Sequence, residues 1–209
     1  QGVSSAASDV YKRQIIGNAI ADATAFTGNG VTTGIKTASI TNSGNITGSA
    51  IAITDITNNA GGIINNNAVA NNNLTNNGSI INNAIATNIN NSGSIANGAT
   101  ASNDLKNIGK INNSAVAGND LINSGGIINS ATIKAGRNLT NQNNGIINSD
   151  TVIVGGSLLN DSGAKIILSN GSTSVITGST LKVTNGASIQ AFNTGDFNLI
   201  SGGQFIVDN

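Results

Sequence analysis

The 209-residue chain contains no cysteine, proline, methionine, tryptophan or histidine, and only one tyrosine. Without Cys there is no disulfide framework and no thiolate metal site, and either redox compartment is compatible. Without His and Cys the usual catalytic triads and Cys nucleophiles are out of reach. Charge is scarce too: 9% of residues are charged, nine basic against nine acidic, giving a formal net charge of zero. A balanced chain with no basic cluster offers no footprint for nucleic acid or an anionic membrane. No apolar run approaches the ~18 residues of a bilayer-spanning helix, so membrane insertion of this segment is not expected.

What the chain has is asparagine, about one residue in five or six, together with 27 glycines. An Asn-rich composition has a disordered, prion-like reading. Hydrophobic residues at 38% and zero net charge oppose it, and the spacing of Ile and Leu decides against it. An Ile or Leu following a polar turn recurs at Ile40, Ile56, Leu74, Ile89, Leu105, Leu121, Leu139 and near Leu158, at gaps of about 15 to 19 residues. That interval is too short for a helix-turn-helix repeat and suits one turn of a β-solenoid.

Every second residue within a repeat conforms to one template. Leu105, Asn107, Gly109, Ile111, Asn113, Ala115, Ala117 follows Ile89, Asn91, Gly93, Ile95, Asn97, Ala99, Ala101. Leu74, Asn76, Gly78, Ile80, Asn82, Ala84, Ala86 precedes them, and Leu121, Asn123, Gly125, Ile127, Asn129, Ala131, Ile133 comes after. Two repeats carry an insertion before their second half, read as Ile64, Asn66, Ala68, Ala70 and as Ile147, Ser149, Thr151, Ile153. A period of two is extended chain, since a helix of period 3.6 cannot keep these positions on one side. The recurrent Gly marks a turn where a left-handed φ is expected.

The predicted fold is all-β: a parallel β-helix, or β-solenoid, with about 16–19 residues per coil. Equivalent residues then stack at about 4.8 Å. Two Asn ladders, Asn76, Asn91, Asn107, Asn123 and Asn82, Asn97, Asn113, Asn129, share the phase of Leu and Ile and are expected inside as structural elements. Residues 40–170 form the regular solenoid, 15–39 degenerate N-terminal coils, and 171–209 irregular continuing coils that run off an unfinished end. Residues 1–14 stand apart: the string SSAASDVYKRQ resembles adapter-derived read-through, which implies a native N-terminus further upstream, or else is a short basic tail.

The segment Ala117–Ser149 resembles the repeats of filamentous-haemagglutinin-type exoproteins, whose form A-G-x-[DN]-L-x-N-x-G-x-I is matched by Ala117, Gly118, Asp120, Leu121, Asn123, Gly125 and Ile127. Ile40–Thr54 is similar to passenger domains of autotransporters. The resemblance implies a right-handed β-helix that an outer-membrane translocator secretes to the Gram-negative cell surface. It also implies adhesive partners: host-cell, matrix or neighbouring-cell ligands.

Chemistry is thin. All nine acids are Asp. Asp104 and Asp120 lie one coil apart, which suits an acid/base couple or a Ca²⁺ site, or two turn aspartates that bond their own backbone. Lys106, Lys110, Lys134 and Arg137 are read as solvating outer faces. No catalytic, cofactor or metal residue is assigned, and no enzyme is expected. In the opposite phase to the core, Ile51, Val69, Ile85, Thr100, Val116, Thr132 and Val152 form either an outer contact strip or a corner turned into the core. The expected role is a structural and adhesive shaft segment of a large exoprotein. The inert stalk of a contact-dependent toxin is the alternative; a polysaccharide-acting β-helix enzyme and an ice-binding solenoid, which lacks its Thr-x-Thr ranks here, come behind.

Overall fold

The computed structural model describes residues 35–177 and 180–191, and the isolated strands Ala19–Ile20, Phe26–Gly28, Val31–Thr32, Asp196–Ile200 and Gln204–Asp208. Side chains are described for residues 38–168, 180 and 182–190. The expected identity of residues 1–14 lies outside the described residues.

Every described strand pairs in parallel with the equivalent strand of the next coil, and no helix occurs among the described residues. The fold is the β-solenoid that the repeat predicts, at about 18 residues per coil. Each coil carries three strand segments. The first belongs to an eleven-stranded sheet running from Phe26–Gly28 to Gln204–Asp208. The second and third belong to one larger sheet, separated by a bend in the early coils, continuous from Lys110–Ala117 to Lys165–Thr177, and two strands again at Ser188–Ala191 and Asp196–Ile200.

All eight expected repeat starts stack in one column, Ile40, Ile56, Leu74, Ile89, Leu105, Leu121, Leu139 and Leu158, through seven complete turns. Each is 2% exposed or less. A second aliphatic column runs through Ile46, Ile64, Ile80, Ile95, Ile111, Ile128 and Ile147. Two Ala columns line the third strands, for example Ala84–Ala99–Ala115 and Ala86–Ala101–Ala117. A coil therefore buries two large aliphatic side chains at roughly 1.5–3 kcal/mol each. Ordering its backbone costs roughly 1–2 kcal/mol per residue, so no coil can stand alone. Stability comes from hydrogen bonds and contacts shared with both neighbours.

The third interior column is polar. Asn42, Asn58, Asn76, Asn91, Asn107, Asn123, Asn141 and Asn160 are all buried to 2% exposure or less. Each Nδ2 donates to the Oδ1 of the Asn in the next coil, at 2.7–2.8 Å in all seven steps. It also donates to a carbonyl of its own coil, such as Gly109 O at 3.1 Å from Asn107. Asn91 Nδ2 further reaches Lys110 O of the following coil at 3.1 Å. The interior thus holds a continuous amide filament with no orphaned donor, which is what makes a buried polar column tolerable. The filament ends at Asn160, because Val183 holds the next position.

The glycines beside this filament are there for a reason other than the expected one. Gly78, Gly93 and Gly109 do not adopt positive φ. A Cβ at Gly93 would lie 2.0 Å from Gly78 O, and one at Gly109 2.1 Å from Gly93 O. A Cβ at Gly126 would lie 2.5 Å from Asn107 Nδ2. Up to Gly145 the column is held by glycine because backbone and amide approach so closely, Ala164 taking the place in the coil of Leu158. Its member in the coil starting at Leu121 is Gly126, not Gly125.

Positive φ occurs instead at Asn113, beside the bulge, and where a coil lengthens. Between the ladder position and the close-packed Gly or Ala, the chain inserts residues at Gly61, Gly125, Asn143–Asn144, Ser162–Gly163 and Asn185–Gly186, and each of these has φ between 53° and 81°. Asn and Gly adopt the left-handed region at least cost. Coils of 15 to 19 residues consequently share one interior, with the surplus held in turns that leave the stack.

Such insertions correct two phases of the template. The core Ile of the coil starting at Leu121 is Ile128, stacked on Ile111, while Ile127 is 39% exposed. Past a bulge between Asn113 and Ser114, Val152 and Val154 fill the interior rather than Ile153.

Candidate functional site

The inner amide ladder contains the expected Asn76, Asn91, Asn107 and Asn123, and extends one way to Asn42 and the other to Asn160. The second expected ladder is placed differently. Asn82 is half-buried and Asn97 and Asn113 are exposed, because the bend between the second and third strands turns them outward. They form an outer row with Asn66, in which each Nδ2 donates to the preceding coil: Asn82 to Asn66 at 3.1 Å, Asn97 to Asn82 at 2.6 Å, Asn113 to Asn97 at 3.0 Å. Asn129 is not part of it and joins Asn112 and Asn148 instead. The residue inserted at Gly125 accounts for the difference, since Asn129 already pairs with Asn112 ahead of the bulge between Asn113 and Ser114.

The β-branched strip is resolved in the same way. Ile51, Val69, Ile85, Thr100 and Val116 stack in register on the third strands with their side chains outward. Ile51 is 37% and Ile85 43% exposed. Thr132 and Val152 do not continue this strip. Thr132 pairs with Ser114 and Thr151, and Val152 is buried in the Ala column. The positions they were expected to hold belong to Lys134 and Ile153.

The turn aspartates are structural, and they bond the next coil rather than their own. Asp104 Oδ1 accepts the backbone N–H of Asp120 at 3.2 Å. Asp120 Oδ1 accepts from the Asn138 backbone N–H at 3.2 Å, Asn138 Nδ2 at 3.1 Å and Arg137 Nε at 2.9 Å. Asp55 plays the same part for Asn73, accepting its backbone N–H and Nδ2 at 3.0 Å each. Both oxygens of Asp120 are engaged by Arg137. Among the described residues no group of three potential metal-ligating side chains comes together. Lys106, Lys110, Lys134 and Arg137 lie on the outside.

Hydrogen bonding from Arg137, opposed by partial desolvation and helped by the Arg137 charge and the Asn138 donors, holds Asp120 below the usual carboxylate range. Hydrogen bonds from Thr184 and Asn185 do the same for Asp161. A carboxylate with a depressed folded pKa contributes stability that is present above its unfolded value and lost as pH falls through the folded one. The melting temperature of the wild-type chain is therefore expected to fall in acid more steeply than that of Asp120→Asn. Parallel acid limbs in thermal melts across pH would refute a role for this group.

No protein-family model matches the chain, and no curated protein or solved structure shows significant similarity to it.

Proposed function

We propose that the chain is a structural shaft segment of a large bacterial exoprotein, carried on the outside of a Gram-negative cell and acting without catalysis. The observation that carries this reading is the unbroken register of aliphatic and amide columns through seven turns. A stack of that kind spends its sequence on interior identity and leaves outer positions free to vary. At about 4.8 Å per rung, seven turns span about 34 Å, a rigid spacer whose length scales with coil number. The absence of Cys suits passage through a translocator as an unfolded chain. Adhesion to host-cell, matrix or neighbouring-cell ligands belongs to the same reading, with the outward strip as the surface that would carry it.

Antibodies raised against the purified chain test the location: intact source cells should be labelled, and labelling confined to lysed cells would overturn it. Binding of the purified chain to cells and immobilised matrix tests adhesion separately. Retention above a bland control would assign an adhesive role, and no retention would leave the spacer alone.

A further inference from the structure

We infer that the outer face of the third strands, from Ala50–Ala52 to Lys110–Ala117, is where a second copy of this chain packs face to face. The inference goes beyond the shaft reading and does not depend on export or adhesion.

Parallel sheets usually have both faces covered. Here the inner face is covered by the core, and the outer face stands open. Its outward central column is Ile51, Val69, Ile85, Thr100 and Val116. The flanking outward positions are Asn, Ser, Thr, Gly and one Ile, Ile53, which is 57% exposed. No charged residue occurs in segments 49–53, 67–71, 83–87, 98–102 or 114–118. Lys134 takes the next place at one end of the column and Lys36 at the other, and the two bound the patch. The first-strand face over the same coils differs, with Asp55, Asp104, Lys106 and Asp120 in its outward positions and turns. Exposed β-surface is ordinarily protected by lysines and other charges, and this face lacks them over five successive coils.

Spacing selects the partner. The side chains of the face recur once per rung, at about 4.8 Å. A ligand with any other repeat drifts out of step within a few rungs, whereas a second copy stays commensurate along the whole patch. Within the five rungs an uncharged face meets itself without repulsion, and the bounding positions of Lys36 and Lys134 limit the contact to those rungs. In an antiparallel pair with its two-fold axis across the shaft at Ile85, each column faces itself: Ile85 meets Ile85, Val69 meets Thr100 and Ile51 meets Val116. Five rungs, about 24 Å, by a strand width of about 17 Å give roughly 400 Å² per copy. The total of about 800 Å² is below the ~1,200 Å² of stable complexes, which places the contact in the weak, reversible class.

Sedimentation equilibrium of the whole chain up to about 1 mM is the test, since weak dimers populate in that range. A reversible dimer is expected, lost in Ile85→Lys, which sets two ammonium groups against each other on the axis. It should be retained in Asn90→Lys, which puts the same charge on the first-strand face. Mixing Ile85→Lys with Ile85→Asp should restore a heterodimer, a result that a merely misfolded variant cannot give. Circular dichroism confirms the fold of each, and Thr100→Lys replaces Ile85→Lys if that variant does not fold. A wild-type chain monomeric throughout, a dimer equally sensitive to Asn90→Lys, or no heterodimer on mixing would overturn the inference.

Discussion

Asn107→Asp should destabilise the chain by about 3–5 kcal/mol at neutral pH, the penalty of a buried charge without a compensating partner. Asn107 is fully buried, and its Nδ2 donates to Asn123 Oδ1 at 2.8 Å, Gly109 O at 3.1 Å and Ile127 O at 3.5 Å. The carboxylate could still accept from Asn91, but its other oxygen would face three acceptors. Asn107→Leu removes the charge problem while leaving Asn123 Oδ1 without its donor, so a smaller loss of roughly 1–3 kcal/mol is expected.

The two substitutions also separate by pH. The site raises the pKa of the new Asp above its unfolded value, because only the protonated group can donate where the amide did. Stability is then greatest below the unfolded value and is lost as pH rises through the folded one. Urea denaturation at about pH 4 and pH 7 should show Asn107→Asp recovering in acid relative to wild type, and Asn107→Leu not. Equal penalties at both pH values would mean that the column is not a donor–acceptor filament.

Gly93→Val should cost about 3 kcal/mol or more, because overpacking against backbone cannot be relieved by a rotamer change. The added Cβ would sit 2.0 Å from Gly78 O and 2.8 Å from Asn77 C, so two coils would have to part. Gly61→Ala is the informative contrast. Gly61 has φ +81° and nothing within 4 Å of a Cβ, so only the left-handed backbone penalty of about 1–2 kcal/mol applies. Chemical denaturation of the two variants should rank them in that order. A mild Gly93→Val would show that the coils are further apart than described.

The repeat made the stacking legible because a solenoid puts like over like: the eight Ile and Leu starts and four inner Asn were identifiable from their spacing alone. Counting in steps of two failed where the chain stops being a simple strand. Gly125 adds a left-handed residue, so Ile128 rather than Ile127 enters the core. The bend after Ile80 carries Asn82 outward although its phase points in. The bulge between Asn113 and Ser114 moves Val152 inside and gives its place on the strip to Ile153. An Asn or Gly reads the same whether it lies in a ladder, a close-packed column or an inserted turn, and only neighbouring coils distinguish these uses. Reading the glycines as left-handed turns held at Gly125 and failed at Gly78, Gly93 and Gly109 for the same reason: the obstacle at Gly93 is an atom of another coil.

The most direct test of the stacking is a distance between two outward positions of the first ladder. Thr57 and Thr140 are 83 residues apart in sequence, yet the register places them five rungs apart through Thr75, Asn90, Lys106 and Ile122. Spin labels at Thr57→Cys and Thr140→Cys should give one narrow distance near 24 Å, five times the spacing of about 4.8 Å. A broad distribution reaching much longer distances, or a narrow one far from that value, would contradict the parallel stack of coils.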